Sequence, residues 1–346
     1  MELILHRFEL PLQHTFTISR GSVDVQETLV VELRHDGHAG FGEATTNSYY
    51  NATLAQMVAD LRRIEPLIEN ARPDDPGLFW EQVQADLAGN PFAHCALDMA
   101  MHDLWGKARG EPVYQLWGLS TDSVPASNYT IGIDSIDVMV EKMQQQAGWP
   151  IYKIKLGTPH DLDIIRALRE QTDAVFRVDA NCAWGVEETI ENSRAMRELG
   201  VEFIEQPLQV EQQEEMSWVK QHSLLPLVAD ESCIVEADVE SCADGFDVVN
   251  IKLVKSAGLT PARRMIERAR QLGLKVMVGC MTESTVGISA IAQLLPMLDY
   301  VDMDGAALLA EDIADGARVI KGICHYPDLP GCGVTLLKDG RITGTL

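Results

Sequence analysis

The sequence predicts an α/β protein, a (β/α)8-type barrel carrying an α+β capping domain, on three observations. From residue 125 onward, short apolar runs recur, each closing on a polar residue and followed by a helical stretch. One central residue from each, Tyr129, Ile154, Val178, Ile204, Val228, Asn250, Met277 and Val301, gives steps of 25, 24, 26, 24, 22, 27 and 24 residues. Each step holds one strand, one helix and two short loops, and eight such steps are what a barrel needs. An open doubly wound sheet shares the texture but rarely stops at eight equal units. Residues 1–118 differ in texture, with strands first and helices after, as in an α+β unit. The 346 residues exceed one ordinary domain of ~150 and suit a large barrel with an appendage. The barrel is expected over 122–320, and the Gly-, Pro- and Thr-rich tail 321–346 is expected to return to the capping domain.

Element by element, residues 2–10, Thr28 to Arg34 and Gly40 to Ala44 read as antiparallel strands, with Asp36-Gly37 as a turn. The polar segment 14–22 between the first two strands reads as an irregular mobile loop. Helices follow at about 51–71, 76–88 and 91–109. The third has Asn90 as N-cap, Pro91 at its first position and Gly110 past its end.

Composition narrows the function. Hydrophobic residues at 46% and charged residues at 23% are ordinary globular usage. Twenty-eight Lys and Arg against 52 Asp and Glu leave a net charge of −24, which repels phosphate backbones and anionic headgroups. Nucleic acid and membrane are excluded as expected partners. The seven cysteines (95, 182, 233, 242, 280, 324, 332) contain no CxxC pair and point to reduced thiols in a cytoplasm. The N-terminus alternates like a strand and no run reaches the ~20 apolar residues of a membrane span.

In a barrel, chemistry belongs at the C-terminal strand ends. The second strand carries Lys153 and Lys155 on one face, pointing inward. The third ends Asp179-Ala180-Asn181, the fourth Glu205-Gln206-Pro207 and the fifth Asp230-Glu231-Ser232. Taken singly, each acid serves as readily as a helix N-cap, and a KxK pair as a solvated edge. Together, three acids converging from successive strands repel unless a cation sits among them. Asp179, Glu205 and Asp230 therefore imply a hard divalent metal, Mg²⁺ first and Mn²⁺ as the alternative. Asn181, Glu231 and Asn250 stand one layer behind. Lys252, closing the sixth strand, lies four strands from Lys155 and hence across the mouth.

Such a set suits removal of a proton beside a carboxylate. A metal on that carboxylate stabilises the resulting enolate, and lysine serves as base once neighbouring positive charge lowers its pKa. With lysines on opposite faces, a proton leaves one side and returns on the other, inverting the centre.

Lys153-x-Lys155, Asp179-x-Asn181, Glu205-Gln206-Pro207, Asp230-Glu231-Ser232 and Asn250-Ile251-Lys252 together resemble the muconate-lactonizing-enzyme subgroup of the enolase superfamily, whose members pair a Lys or His base with Mg²⁺. The helix around Ala96–Gly106 resembles the same family's capping domain. The resemblance implies Asp179, Glu205 and Asp230 as metal ligands, Lys155 and Lys252 as the acid/base pair, and Lys153 as the helper that lowers the pKa of Lys155.

Within the subgroup, cycloisomerases, o-succinylbenzoate synthases, N-succinylamino acid racemases and dipeptide epimerases share these residues. Asp302-Met303-Asp304 on the eighth strand resembles the Asp-x-Asp of dipeptide epimerases, which holds the substrate's free α-ammonium. Two anions favour a cation, and neither muconate nor a succinylated amine offers one. The run Gly279-Cys280-Met281-Thr282-Glu283-Ser284 resembles the pocket lining after that family's seventh strand, so Met281, Thr282 and Glu283 are expected at the substrate. Gly279 and Cys280 stand where mandelate racemase-like members carry a catalytic His, which disfavours acid-sugar chemistry. Cys182 and Cys280 lack the paired base of a nucleophile and read as packing.

The expected function is a Mg²⁺-dependent dipeptide epimerase inverting the α-carbon of the C-terminal residue, with L-Ala-L-Glu, a cell-wall recycling peptide, or a related dipeptide as substrate. Arg20, the fixed cation of segment 14–22, is expected to pair with a glutamate side chain. Phe16, Ile18, Tyr49 and Tyr50 equally make a lid for hydrophobic residues. The other members of the subgroup stand as the alternative, a non-catalytic binding barrel stands last, and the sequence leaves a homo-oligomer open.

Overall fold

The computed structural model describes residues 1–343; the final residues of the expected tail, 344–346, lie outside them. Three antiparallel strands open the chain, β1 (Glu2–Ile18), β2 (Gly21–His35) and β3 (His38–Thr45). Here the structure corrects the sequence reading. Segment 14–22 is not an irregular loop but the tip of a long hairpin, with Phe16 opposite Val23, Thr17 opposite Ser22 and Ile18 opposite Gly21. A register shift between Pro11 and Phe16 absorbs the irregularity, since proline cannot donate to the ladder. Cross-strand bonds from Thr15 Oγ1 to Asp24 (2.6 Å) and between the Thr17 and Ser22 hydroxyls (2.9 Å) hold the arms together.

Helices α1 (Leu54–Arg63), α2 (Glu65–Asn70), α3 (Pro76–Leu87) and α4 (Pro91–Arg109) follow. The helix expected over 51–71 divides at Ile64 because Pro66, which has no N–H, suits the first turn of a new helix and not the interior of an old one. In α4, Asn90 Oδ1 accepts from Ala93 N at 3.1 Å and Gly110 takes the left-handed cap at φ 73°. Strand β3 lies almost directly on α4: a Cβ at Gly42 would stand 2.0 Å from Ala96 O. That contact needs glycine.

The barrel strands are β4 (Tyr129–Ile131), β5 (Ile151–Lys155), β6 (Val175–Asp179), β7 (Val201–Glu205), β8 (Leu227–Ala229), β9 (Val248–Lys252), β10 (Lys275–Gly279) and β11 (Tyr300–Asp302). They form one parallel sheet in chain order. Each of the eight residues chosen from the sequence falls in its own strand. Between β11 and β4 the ring closes through one bridge, Ser127 to Val301, and through side chains: Met303 N donates to Ser127 Oγ (3.0 Å), and Asn128 Nδ2 to Asp302 Oδ1 (2.7 Å). Below the site Phe203, Val228, Val248 and Met277 fill the ring, and the Arg177 guanidinium lies 5.1 Å from the Phe203 ring centre.

The C-terminal segment lies against the capping domain, where Arg7 N donates to Gly340 O (2.8 Å) and Ile342 N to Leu5 O (2.9 Å). Among the described residues no helix is long and apolar enough to cross a membrane.

Candidate active site

The strand ends converge as the period of two requires. Oxygens of Asp179, Glu205 and Asp230, all buried, lie within 4.8 Å of one another. The turns behind them are backbone-strained: Asn181, Cys182 and Gln206 adopt positive φ of 43°, 65° and 36°. Gln206 turns its amide back into the next strand end, where Oε1 accepts from Asp230 N (3.0 Å) and Ser232 N (3.1 Å). Asn181 N donates to Asp179 Oδ1 (2.9 Å), and Asn250 Nδ2 to Glu205 Oε1 (2.8 Å). Gly279 makes room for that amide, since a Cβ there would meet Asn250 Oδ1 at 2.7 Å.

Two lysines approach the acids from strands four apart. Lys155 Nζ is 2.6 Å from Asp179 Oδ2 and Lys252 Nζ is 2.8 Å from Asp230 Oδ2. Lys153 reaches deeper, to Glu205 (2.7 Å), Asp302 (2.8 Å) and Asp179 (3.1 Å). Burial works against ionisation of Asp179, yet Lys155 and then Lys153 hold it down at about 2. Burial and the Asp179 charge push Glu205 up to about 7. Asp230 is held far below the usual carboxylate range, against burial, by Lys252 and Lys255.

Two of the lysines are held by the acids around them. Burial by itself would lower Lys252, but Asp230 raises it above the ordinary lysine value, and Asp302 with Glu205 does the same to Lys153. For these two lysines the touching acids outweigh both burial and the neighbouring ammonium.

The three acids fit a hard divalent cation. Their donors are all carboxylate oxygens, and Glu205 Oε2 has no hydrogen-bond donor although Lys153 Nζ stands 2.7 Å away, out of line. A cation among them would relieve the repulsion that lifts Glu205.

Above the acids opens a cavity of about 420 Å³. The barrel lines it with Thr130, Lys155, Asn181, Asp230, Glu231, Lys252, Cys280, Met281, Thr282, Asp302, Asp304 and Leu308; the cap adds Phe16, Ile18, Arg20, Val23, Thr45–Tyr50 and neighbours. Asp302 and Asp304 share this wall but are unequal. Lys153 keeps Asp302 below the usual range despite burial, whereas burial and the Asp302 charge push Asp304 up to about 8.

One expected substrate contact lies elsewhere. Glu283 does not line the cavity. It is buried behind Met281, its Oε1 accepting from Met281 N at 2.7 Å, because the turn needs an acceptor for that N–H. Burial and the nearby Glu43 push it up to about 8. Arg20 does line the cavity, but its Nη1 already pairs with Glu231 Oε1 (2.7 Å), and its guanidinium lies 4.3 Å from the Tyr49 ring centre. Nη1 also donates to Asn181 O (3.2 Å), and the side chain stays 30% exposed.

Lys255, Asn128 and Thr130 join the site without having been singled out. Lys255 Nζ is buried against both Asp230 O and Oδ1, and its only signal is a spacing of three from Lys252 in the short helix Leu253–Ser256. Asn128 and Thr130 escape a search for acids and amines because they are neutral, though Asn128, just before β4, and Thr130 within it are two apart and so share one face.

Residues 2–118 match the mandelate racemase/muconate lactonizing enzyme N-terminal domain, and residues 137–340 match the enolase C-terminal domain-like family. The chain belongs to the mandelate racemase/muconate lactonizing enzyme family. Within that family, the chain is 56% identical over 337 residues to an L-Ala-D/L-amino acid epimerase of Flavobacterium johnsoniae, covering 97% of this chain and 100% of that protein. A substrate-liganded L-Ala-D/L-Glu epimerase from Bacillus subtilis superposes with TM-score 0.92 at 25% identity over 99% of each chain. A dipeptide epimerase from Cytophaga hutchinsonii, complexed with Mg and D-Ala-L-Val, gives TM-score 0.92 at 27% identity, over 97% of this chain and 96% of that one.

Proposed function

We propose that this family member is a Mg²⁺-dependent dipeptide epimerase that inverts the α-carbon of the C-terminal residue. The observation that carries the reading is the placement of Lys155 and Lys252: they come from strands four apart, pair with different acids, and both face the cavity. Asp179, Glu205 and Asp230 would hold the ion. When bound, Mg²⁺ would supply positive charge that acidifies the substrate's α-proton and would share the carboxylates that hold the lysines.

This chain's residues do the rest. Lys155 and Lys252 take the α-proton from one face and return one to the other, so each acts as base on one epimer and as acid when the other epimer is the substrate. Lys153, tied to Asp302, Glu205 and Asp179, holds those acids in place and keeps positive charge near Lys155. Asn181, Glu231 and Asn250 fix the orientation of the acids. Asp302 and Asp304 receive the N-terminal ammonium; Lys153 already pairs with Asp302, so a muconate or an N-succinyl amine would leave Asp304 as the buried acid without a counter-charge.

The cap decides side chains. Arg20 keeps L-Ala-L-Glu among the substrates, while Phe16, Ile18, Tyr49, Tyr50, Met281 and Leu308 suit apolar residues, a mixed wall consistent with a broad L-Ala-L-Xaa preference like that in the name of the Flavobacterium johnsoniae relative. Turnover of L-Ala-L-Glu would place the protein in cell-wall peptide recycling, in the cytoplasm, where its seven free thiols stay reduced. Incubating the protein with Mg²⁺ and a dipeptide library in D₂O tests the reading. α-Deuterium should enter the C-terminal residue and both epimers should accumulate; exchange with no dipeptide would end it.

A further inference from the structure

We propose that Glu43 of the capping sheet is a positioning residue for the side chain of the substrate's N-terminal residue, acting through the barrel turn Cys280–Ser284; this rests on the dipeptide reading above. Glu43 sits on β3, fully buried, and most of its partners belong to the other domain. Ser284 donates to it from its backbone N (3.1 Å) and its Oγ (2.6 Å), and Gly287 from its N (3.0 Å). Thr28 Oγ1, on the adjacent strand, adds a bond of 2.9 Å. The barrel donors form the first turn of the helix Thr285–Ala292, whose N–H groups have no partner inside the helix. A cap-domain carboxylate therefore caps a barrel helix.

The same turn is braced from within. Glu283 Oε1 accepts from Met281 N, and a Cβ on Gly287 would stand 2.1 Å from Glu283 Oε2, so the turn is packed without slack. Clamped between the two carboxyls, Met281 and Thr282 face the cavity beside Cys280. On the other side, β3 runs on from Glu43 into Thr45, Thr46 and Asn47, which line the cap wall, and Asn47 Nδ2 approaches Met281 Sδ at 3.9 Å. One side chain thus sets the spacing of two walls of the pocket. The subsite follows from the neighbour of the turn: a Cβ on Gly305 would meet Met281 O at 2.6 Å, so the turn abuts Asp304, where the N-terminal ammonium is placed. The substrate group nearest to it is the side chain on that same residue.

Glu43→Gln tests this, because it keeps shape and one acceptor oxygen while presenting an amide NH₂ to the donors of Ser284 and Gly287. Two dipeptide series are assayed, one varied at the N-terminal and one at the C-terminal residue, with kcat and KM measured separately. In the N-terminal series, KM is expected to rise about tenfold and the kcat/KM ratio of Ala to Leu to shift at least about fivefold, within what pocket contacts discriminate. The kcat should stay within about threefold, and ratios in the C-terminal series within about twofold. Ser284→Ala, which removes one donor and leaves β3 intact, should shift the same ratio in the same direction and serves if Glu43→Gln does not fold. A lowered melting temperature with both sets of ratios unchanged in an active variant overturns this inference alone. Absence of exchange in the unmutated protein overturns the dipeptide reading and this inference with it.

Discussion

Lys153 Nζ lies 2.8 Å from Asp302 Oδ2, tying β5 to β11 past the intervening β4 inside the ring. One acid of the Asp302/Asp304 pair is therefore already neutralised by the metal-side lysine, and the other carries the response to a bound cation. Asp304, pushed up to about 8, must lose its proton before it can pair with an ammonium.

Dipeptide affinity is accordingly expected to improve as pH rises from 6 toward 8, because a raised acid pKa means the anion forms late. Above that range the substrate amine loses its own charge. Asp304→Asn should flatten the pH profile of KM and raise KM at pH 8 by a factor of about 30 or more, the usual cost of removing one partner of a buried charge pair. N-acetylated dipeptides should be poor substrates of the unmutated protein. Turnover of N-succinylamino acids that survives Asp302→Asn would favour a racemase instead.

Single-face exchange separates the lysines. Lys155→Ala and Lys252→Ala should each lose epimerisation by about 10³-fold, the scale of one general acid/base. Each should also lose deuterium exchange from only one of the two C-terminal epimers, read by NMR in D₂O. Both variants losing exchange from the same epimer would contradict the two-face assignment.

Chelation should abolish exchange, and Mg²⁺ or Mn²⁺ should restore it. Mg²⁺ should also raise the melting temperature, since an ion that binds only the folded chain stabilises it. Asp179→Asn, Glu205→Gln and Asp230→Asn should each suppress that rise, which needs no substrate to measure.

Arg20→Met is expected to lower kcat/KM for L-Ala-L-Glu by about tenfold, the loss of one charge-assisted hydrogen bond, and to leave L-Ala-L-Val within about threefold. Equal losses on both substrates would show that Arg20 serves only to hold Glu231.

Stability should record the buried acid behind the turn. The folded pKa of Glu283, about 8, exceeds its unfolded value, so its favourable contribution is complete below the unfolded value and lost as pH rises through about 8. Glu283→Gln should remove that slope and gain on the order of 2 kcal/mol relative to the unmutated protein at pH 8.5, with little difference at pH 4.5, by denaturant unfolding.

The barrel was legible because eight strands repeat at nearly one spacing, and Asp179, Glu205 and Asp230 because three acids end successive strands. Less legible were contacts that exist only once the turns are folded. Glu283 looks like a pocket acid in a sequence, and only the fold reveals that Met281 N claims it. Segment 14–22 read as a loop because the Pro11–Phe16 register shift breaks the alternation on which strand recognition depends. Lys255 is hidden by chemistry that a linear chain does not display, a second amine bent back onto the same carboxylate as Lys252.

The ring between β4 and β11 is fastened by a bridge and a few side-chain bonds, and one of these fasteners, Asn128 to Asp302, is also part of the pocket. Opening of that join and loosening of the Asp302 side of the cavity are thus a single event. A ligand gripping Asp302 should act as a rivet, slowing amide exchange along residues 127–131 and 300–303 more than elsewhere in the ring.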